Sequence, residues 1–201
     1  MKRAWIGAAA ALALGMSAAS GANAATLLDF GGPTAALPSP DFVLFTFDAG
    51  AGEGLASFTI DGLGTLDGVV SNNLEDDFTL TVNGIEVLKG TWDLGGGGQN
   101  VVFFAPSGAS IDAHANAFGH GGVLTIAAPI ALEKGLNSIR FAFSSASPQG
   151  LGDEGWDLRG LTVTGAAGAP EPATWAMLLL GFFGLGEALR RSRPAAIRVR
   201  G

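Results

Sequence analysis

Cysteine is absent from all 201 residues, so no disulfide, thiolate metal site or cysteine nucleophile can form. The fold has to stand on packing, with a bound cation as the remaining aid. Histidine is almost as scarce. His114 and His120 are the only two, in a stretch, residues 111–122, that reads as a glycine-bounded loop. Their spacing is not the i, i+4 of a helical zinc motif. With Asp112 they make at most a three-ligand zinc or copper site, and a solvated loop is the plainer reading. Bases are missing from the middle of the chain. Between residues 25 and 172, seventeen acids face only Lys89, Lys134, Arg140 and Arg159, which leaves −13 there against −7 for the whole chain. Such a surface repels nucleic acid and anionic lipid and suits cations or neutral sugars, so nucleic-acid binding is excluded. No G-x-S-x-G elbow is present, and neither histidine has an obvious serine partner. Sustained 3.6-residue periodicity is lacking from residue 25 to 168, which argues against a βαβ fold.

What the chain does have is one strand pattern after another. Residues 27–30, 42–47, 55–60, 78–82, 85–92, 101–104, 123–130, 137–144 and 156–163 are rich in β-branched or aromatic side chains, and many alternate with period two. Phe78, Leu80 and Val82 face one side while Thr79 and Thr81 face the other. Ile139, Phe141 and Phe143 alternate with Arg140, Ala142 and Ser144. Asn83-Gly84 joins two such runs with residues that tolerate positive φ, the signature of a type I′ hairpin. Lys134-Gly135 is a second hairpin signal. The glycine run 95–98 reads as a flexible loop. Residues 150–155 fit G-x-G-x-x-G by letter, but a strand pattern follows and the loop carries two carboxylates, so it is a turn and not a phosphate cradle. The fold class expected is all-β, an antiparallel β-sandwich.

Both ends of the chain differ from this middle. Lys2 and Arg3 precede an apolar run, 4–16, and small residues lead to Ala22-Asn23-Ala24; residues 1–24 form a secretory signal peptide cut after Ala24. At the other end, residues 166–172 make a linker ending in Pro170-Glu171-Pro172, which cannot continue a strand or helix interior. Trp175 and Ala176 follow, then an apolar run containing Gly181, Gly184 and Gly186, then Arg190, Arg191 and Arg193. A helix over 173–189 would be about 25 Å long, the short end for a bilayer core of about 30 Å, and the basic tail 190–201 would mark the cytoplasmic side. This ordered set resembles the PEP-CTERM sorting signal of Gram-negative bacteria in its PEPxxWA form. The resemblance implies processing near Pro170, Glu171 and Pro172 by an exosortase-type transpeptidase. Before that come a signal peptidase and the secretion machinery, with transient anchoring in the inner membrane by a transmembrane helix. The final destination is then the cell surface or an exopolysaccharide matrix. Glu187 within the apolar run, and the extension 194–201, depart from the pattern.

The β module between, residues 25–165, also resembles the jelly-roll sandwiches common in exported carbohydrate-binding domains, through residues 76–84 and 152–158. Two acidic groups are candidate calcium ligands if the strand ends converge at one pole: Glu75, Asp76 and Asp77, and Asp153, Glu154 and Asp157. Calcium takes six to eight oxygens, and loop carboxylates with carbonyls supply them. Acidic loops also serve solubility alone. Trp92 and Trp156, each beside an aspartate, are candidates for stacking on sugar rings, with core packing as the other reading. The expected function is a non-enzymatic surface or matrix protein with a carbohydrate-binding sandwich and a polysaccharide partner. An envelope glycan-cleaving enzyme and a purely structural or adhesive protein are the alternatives.

Overall fold

A computed structural model describes residues 24–69, 74–167 and a C-terminal helix whose side chains are described over 177–186. The signal-peptide residues through Ala22, the motif residues Pro170 and Glu171, and Arg193 lie outside the described residues, as do the side chains of Pro172, Trp175, Ala176, Arg190 and Arg191. Ala24 is exposed, immediately ahead of the first strand.

Eleven strands follow in order: β1 (Ala25–Phe30), β2 (Leu37–Pro38), β3 (Asp41–Ala49), β4 (Gly52–Gly62), β5 (Asp76–Val82), β6 (Ile85–Thr91), β7 (Val101–Phe104), β8 (Ser110–Ala115), β9 (Gly122–Leu132), β10 (Gly135–Ser145) and β11 (Gly155–Gly165). They build two sheets. One runs β1-β11-β4-β9-β8, with β2 also pairing β11; the other runs β3-β10-β5-β6-β7. Every strand pairing is antiparallel. The chain is an antiparallel two-sheet β-sandwich.

Period two explains the layers. Along β5, Asp76, Phe78, Leu80 and Val82 are buried while the residues between them are only half-covered. Inward rows from both sheets meet in a core whose aromatic rings touch in series: Phe58 packs edge-on against Phe141 at 4.7 Å, Phe78 tilts against Phe143 at 5.4 Å, and Phe143 against Trp156 at 5.2 Å. The hairpin expected at Asn83-Gly84 forms, with φ of 50° and 80°. The loop 150–155 is a turn, as its carboxylates suggested.

Two expectations are corrected. Lys134-Gly135 is not a hairpin, because β9 pairs with β4 and β8 while β10 pairs with β3 and β5. The turn carries the chain from one sheet to the other. The buried Asn137 amide holds it, donating to the Glu133 and Gly135 carbonyls at 2.8 Å each. Residues 111–122 are not all loop, since β8 is an edge strand on β9. Ile111 and Ala113 pack towards the core, and the polar Asp112 and His114 between them hid that alternation. A helix, α1 (Pro172–Arg191), does form, but among the described residues no helix is long and apolar enough to cross a membrane. The stretch expected to span a membrane, 173–189, includes side chains that lie outside the described residues, those of 173–176 and 187–189.

Candidate functional site

Extending the inward row of β5 by one step back from Phe78 puts Asp76 on the core side, at the end of the sandwich. Its carboxylate is fully buried. Ser39 Oγ donates to Asp76 Oδ1 at 2.5 Å and the Asp67 amide donates to Oδ2 at 3.0 Å. Asp67 is brought there by the segment that leaves β4 and crosses the end of the sandwich. Leu66 bridges to Leu94, the Asp76 amide donates to the Asp67 carbonyl at 3.0 Å, and the buried Thr91 hydroxyl donates to the same carbonyl at 3.0 Å. Glu154 arrives from the turn before β11. Its carboxylate accepts from the backbone and side-chain amides of Gln149 at 2.8 and 3.1 Å, and its carbonyl accepts from the Ser39 amide at 2.8 Å.

Asp67 and Asp76, nine residues apart, therefore converge with Glu154 from far along the chain. All three are buried, with one carboxylate oxygen of each within 4.8 Å of the others. Burial, then the charges of Glu154, Asp153 and Asp93, push the Asp67 carboxyl up from 3.8 to about 6. Burial pushes Asp76 up to about 7, against the hydrogen bonds from Ser39 and Asp67 and with added repulsion from Glu154. The donor set is all oxygen, anionic and short of compensating charge, which is the chemistry a hard divalent cation meets.

Asp67 also lines a cavity of about 340 Å³, together with Thr65, Leu74, Gly96, Phe118, Gln149 and Asp153. Asp153 Oδ1 accepts from the Thr65 hydroxyl at 2.6 Å. Phe118 is 78% exposed, an apolar ring beside polar groups. A methyl group on Gly96 would lie 2.6 Å from the Asp67 carboxyl carbon, so only glycine lets the loop after Leu94 approach this closely. That loop is tied down rather than free, because Asp93 Oδ1 accepts from the amides of Gly95 and Gly97 at 3.0 and 2.8 Å.

The sequence-derived calcium group is thus divided. Asp76 and Glu154 meet in the buried trio and Asp153 faces the cavity. Glu75 bridges to Asp67 through its backbone. Asp77 points outward and pairs with Lys89 at 3.0 Å. Asp157 faces out of the other sheet, in register with Asp61, which holds Arg159 in two hydrogen bonds; burial and Asp61 raise the Asp157 carboxyl. Asp77 and Asp157 are corrected out of the group because odd and even positions of a strand face opposite ways. The stacking role for Trp92 and Trp156 is corrected as well. They are 2% and 0% exposed, and Trp156 Nε1 donates to the Pro38 carbonyl at 3.0 Å, so both are core anchors. Asp112 and His114 pair with each other at 3.1 Å in the open, and no metal group forms from them and His120 among the described residues. Sequence reasoning missed Asp67 and Ser39. Asp67 sits in no periodic run, and its one signal is the glycine-spaced crossing segment from 62 to 68.

No family model and no curated protein matches the chain. Among solved structures it is similar to the family 35 carbohydrate-binding module of Cellvibrio japonicus Abf62, with 13% identity over 74% of this chain and 94% of that one and a TM-score of 0.36. It is also similar to the sugar-binding EclA C-terminal domain, with 10% identity over 79% and 89% and a TM-score of 0.37. A third is a family 35 module from Clostridium thermocellum, with 16% identity over 72% and 89% and a TM-score of 0.33. At these identities none of them transfers a residue to this chain.

Proposed function

We propose that the chain is an exported, non-catalytic β-sandwich that holds a carbohydrate in the cavity at one end. Asp67, Asp76 and Glu154 would bind a calcium ion beside it. The observation that carries this reading is that Asp67 belongs both to the buried carboxylate trio and to the cavity wall. A cavity of about 340 Å³ is of small-ligand size. Its lining sets hydroxyl, amide and carboxylate groups against the exposed Phe118 ring, which suits a polyol with one apolar face. Bound calcium would offset the repulsion among the buried carboxylates and fix the position of Asp67.

A glycan-cleaving reading fits the same residues less well. Glycosidase carboxylates flank the scissile bond at roughly 5–9.5 Å, with substrate between them. Here the carboxylate oxygens lie within 4.8 Å of one another and all three groups are buried, which leaves no room for a sugar linkage between any two.

The tail belongs to the proposal too. Pro170-Glu171-Pro172, Trp175 and Ala176, with the arginines beyond, would be the sorting signal on which an exosortase-type transpeptidase acts after the secretion machinery and signal peptidase. It would deliver the sandwich to the cell surface or an extracellular polysaccharide matrix.

The cavity reading is tested on the full chain by calorimetric titration with calcium chloride, by thermal melting in calcium or chelator, and by glycan-array binding in both. Calcium is expected to raise Tm by at least about 5 °C, a stabilisation of one to two kcal/mol for a domain of this size. Asp67→Asn and Glu154→Gln should abolish that rise, and glycan retention should fall in chelator without turnover of any glycan. A titration with no heat and no change in Tm would sink the calcium assignment.

A further inference from the structure

The outer face of the five-stranded sheet has no part in the cavity, and its residues form an unusual row. Reading the pairing register across all five strands gives Phe42, Ala142, Thr79, Lys89 and Phe104 at one level. Four inter-strand steps make this row about 19 Å long. Its middle is low, since Ala142 is small and buried and Thr79 is half-buried. Its two ends carry exposed phenyl rings: Phe42 is 49% exposed, and Phe103 and Phe104 are 47% and 40% exposed.

A cation sits against the rings at each end. The Arg140 guanidinium lies 4.2 Å from the centre of the Phe42 ring, and Lys89 Nζ lies 5.5 Å from that of Phe103. The two cations differ in one respect. Lys89 is neutralised by Asp77, whereas among the described residues no carboxylate pairs with Arg140. Its register neighbours are Leu44 and Thr81. In a module with sixteen acids and four bases between residues 25 and 165, a guanidinium that has found an aromatic ring and no carboxylate is an open anion site. The cation–π contact with Phe42 holds the guanidinium in place without engaging a carboxylate.

We infer that this face is a second binding surface, and that its ligand is a polysaccharide chain carrying carboxylates, a polyuronate. The chain would lie across the strands along the low middle, with pyranose faces against the phenyl rings at each end. One uronate would be taken bidentately by Arg140, with the Thr79 and Thr81 hydroxyls beside it. The overall charge of the module favours neutral sugars; this face reverses that preference locally. Asp77 and Glu86 share the face, the first engaged by Lys89 and the second two strands from Arg140.

The test is affinity electrophoresis of the full chain through gels containing sodium alginate, dextran or no polymer, with a chelator throughout so that calcium bridging cannot contribute. Alginate is expected to retard the protein more than dextran does, and the retardation should shrink as sodium chloride is raised. Arg140→Met should weaken alginate binding about tenfold, the scale of one charge-assisted bidentate contact, and Phe42→Ala should weaken it several-fold. Both should melt within a few degrees of the parent, because both sites are surface positions. Asp67→Asn should lose the calcium response of the cavity and keep its alginate retardation, so the two surfaces can fail separately. Equal retardation by dextran and alginate, no retardation by alginate, or an Arg140→Met protein that binds like the parent would each overturn the assignment.

Discussion

Asp76 carries the sharpest residue-scale consequence. Its carboxyl is held near 7 in the fold against 3.8 when exposed, and Asp67 near 6. Between about pH 4 and 7 the folded chain therefore binds more protons than the unfolded one, and stability must fall as pH rises through that window, levelling off above it. In chelator, Tm of the full chain should drop by about 5 °C or more from pH 5 to pH 8, and Asp76→Asn should flatten the drop. With calcium present the trend should weaken or reverse, because the ion competes with those same protons. A Tm that climbs with pH in chelator would contradict the burial of these charges. Asp76 was legible in advance, since the alternation of Phe78, Leu80 and Val82 needs one more step back to reach it. Glu154 was legible as a strand-end acid. Asp67 was not, because its position depends on loops 63–69 and 93–99 pairing across the sandwich end, a long-range event without a local pattern. Trp92 and Trp156 failed as platforms for a related reason: a flanking aspartate says nothing about which face of a strand the indole takes.

At the scale of elements, nine strands were readable from period-two runs, and the Asn83-Gly84 turn from its dihedral tolerance. Two were not: β2 has only two residues, Leu37–Pro38, and in β8 alternation is carried by Ile111 and Ala113 among polar neighbours. The β9–β10 connection misled because a short glycine-containing link looks the same in sequence whether it closes a hairpin or steps between sheets. Asn137, which fixes that step, sits inside β10. The helix α1 formed where apolar residues of good helix propensity follow Pro172. Its described apolar side chains, Met177 to Leu185 among them, are exposed. The sorting proposal is tested on this element. Replacing Pro170-Glu171-Pro172 by alanines should leave the uncleaved chain with the cells, seen by fractionation and mass, while the parent is released in a shortened form. Parent protein recovered only with its arginine end attached would refute it.

For the whole molecule, the two sheets share one feature that determines when the structure can exist. In the six-stranded sheet β11 lies between β1 and β4, and in the five-stranded sheet β10 lies between β3 and β5. The last two strands of the sandwich are thus inserted between earlier strands in each layer, and among the described residues β1 has no strand partner except β11. A chain ending before Gly155 should show no cooperative thermal transition by circular dichroism, whereas removal of residues 168–201 should leave the transition within a few degrees. A cooperative melt of the shorter chain near that of the parent would contradict this. Apart from the neighbours β5–β6, β6–β7 and β8–β9, the main pairings join strands far apart in sequence, which predicts slow folding. For a polypeptide threaded through a membrane amino end first, as proposed above, the early segments would reach the far side with gaps where their neighbours belong. They would have to wait there, unassembled, until nearly the entire chain had followed.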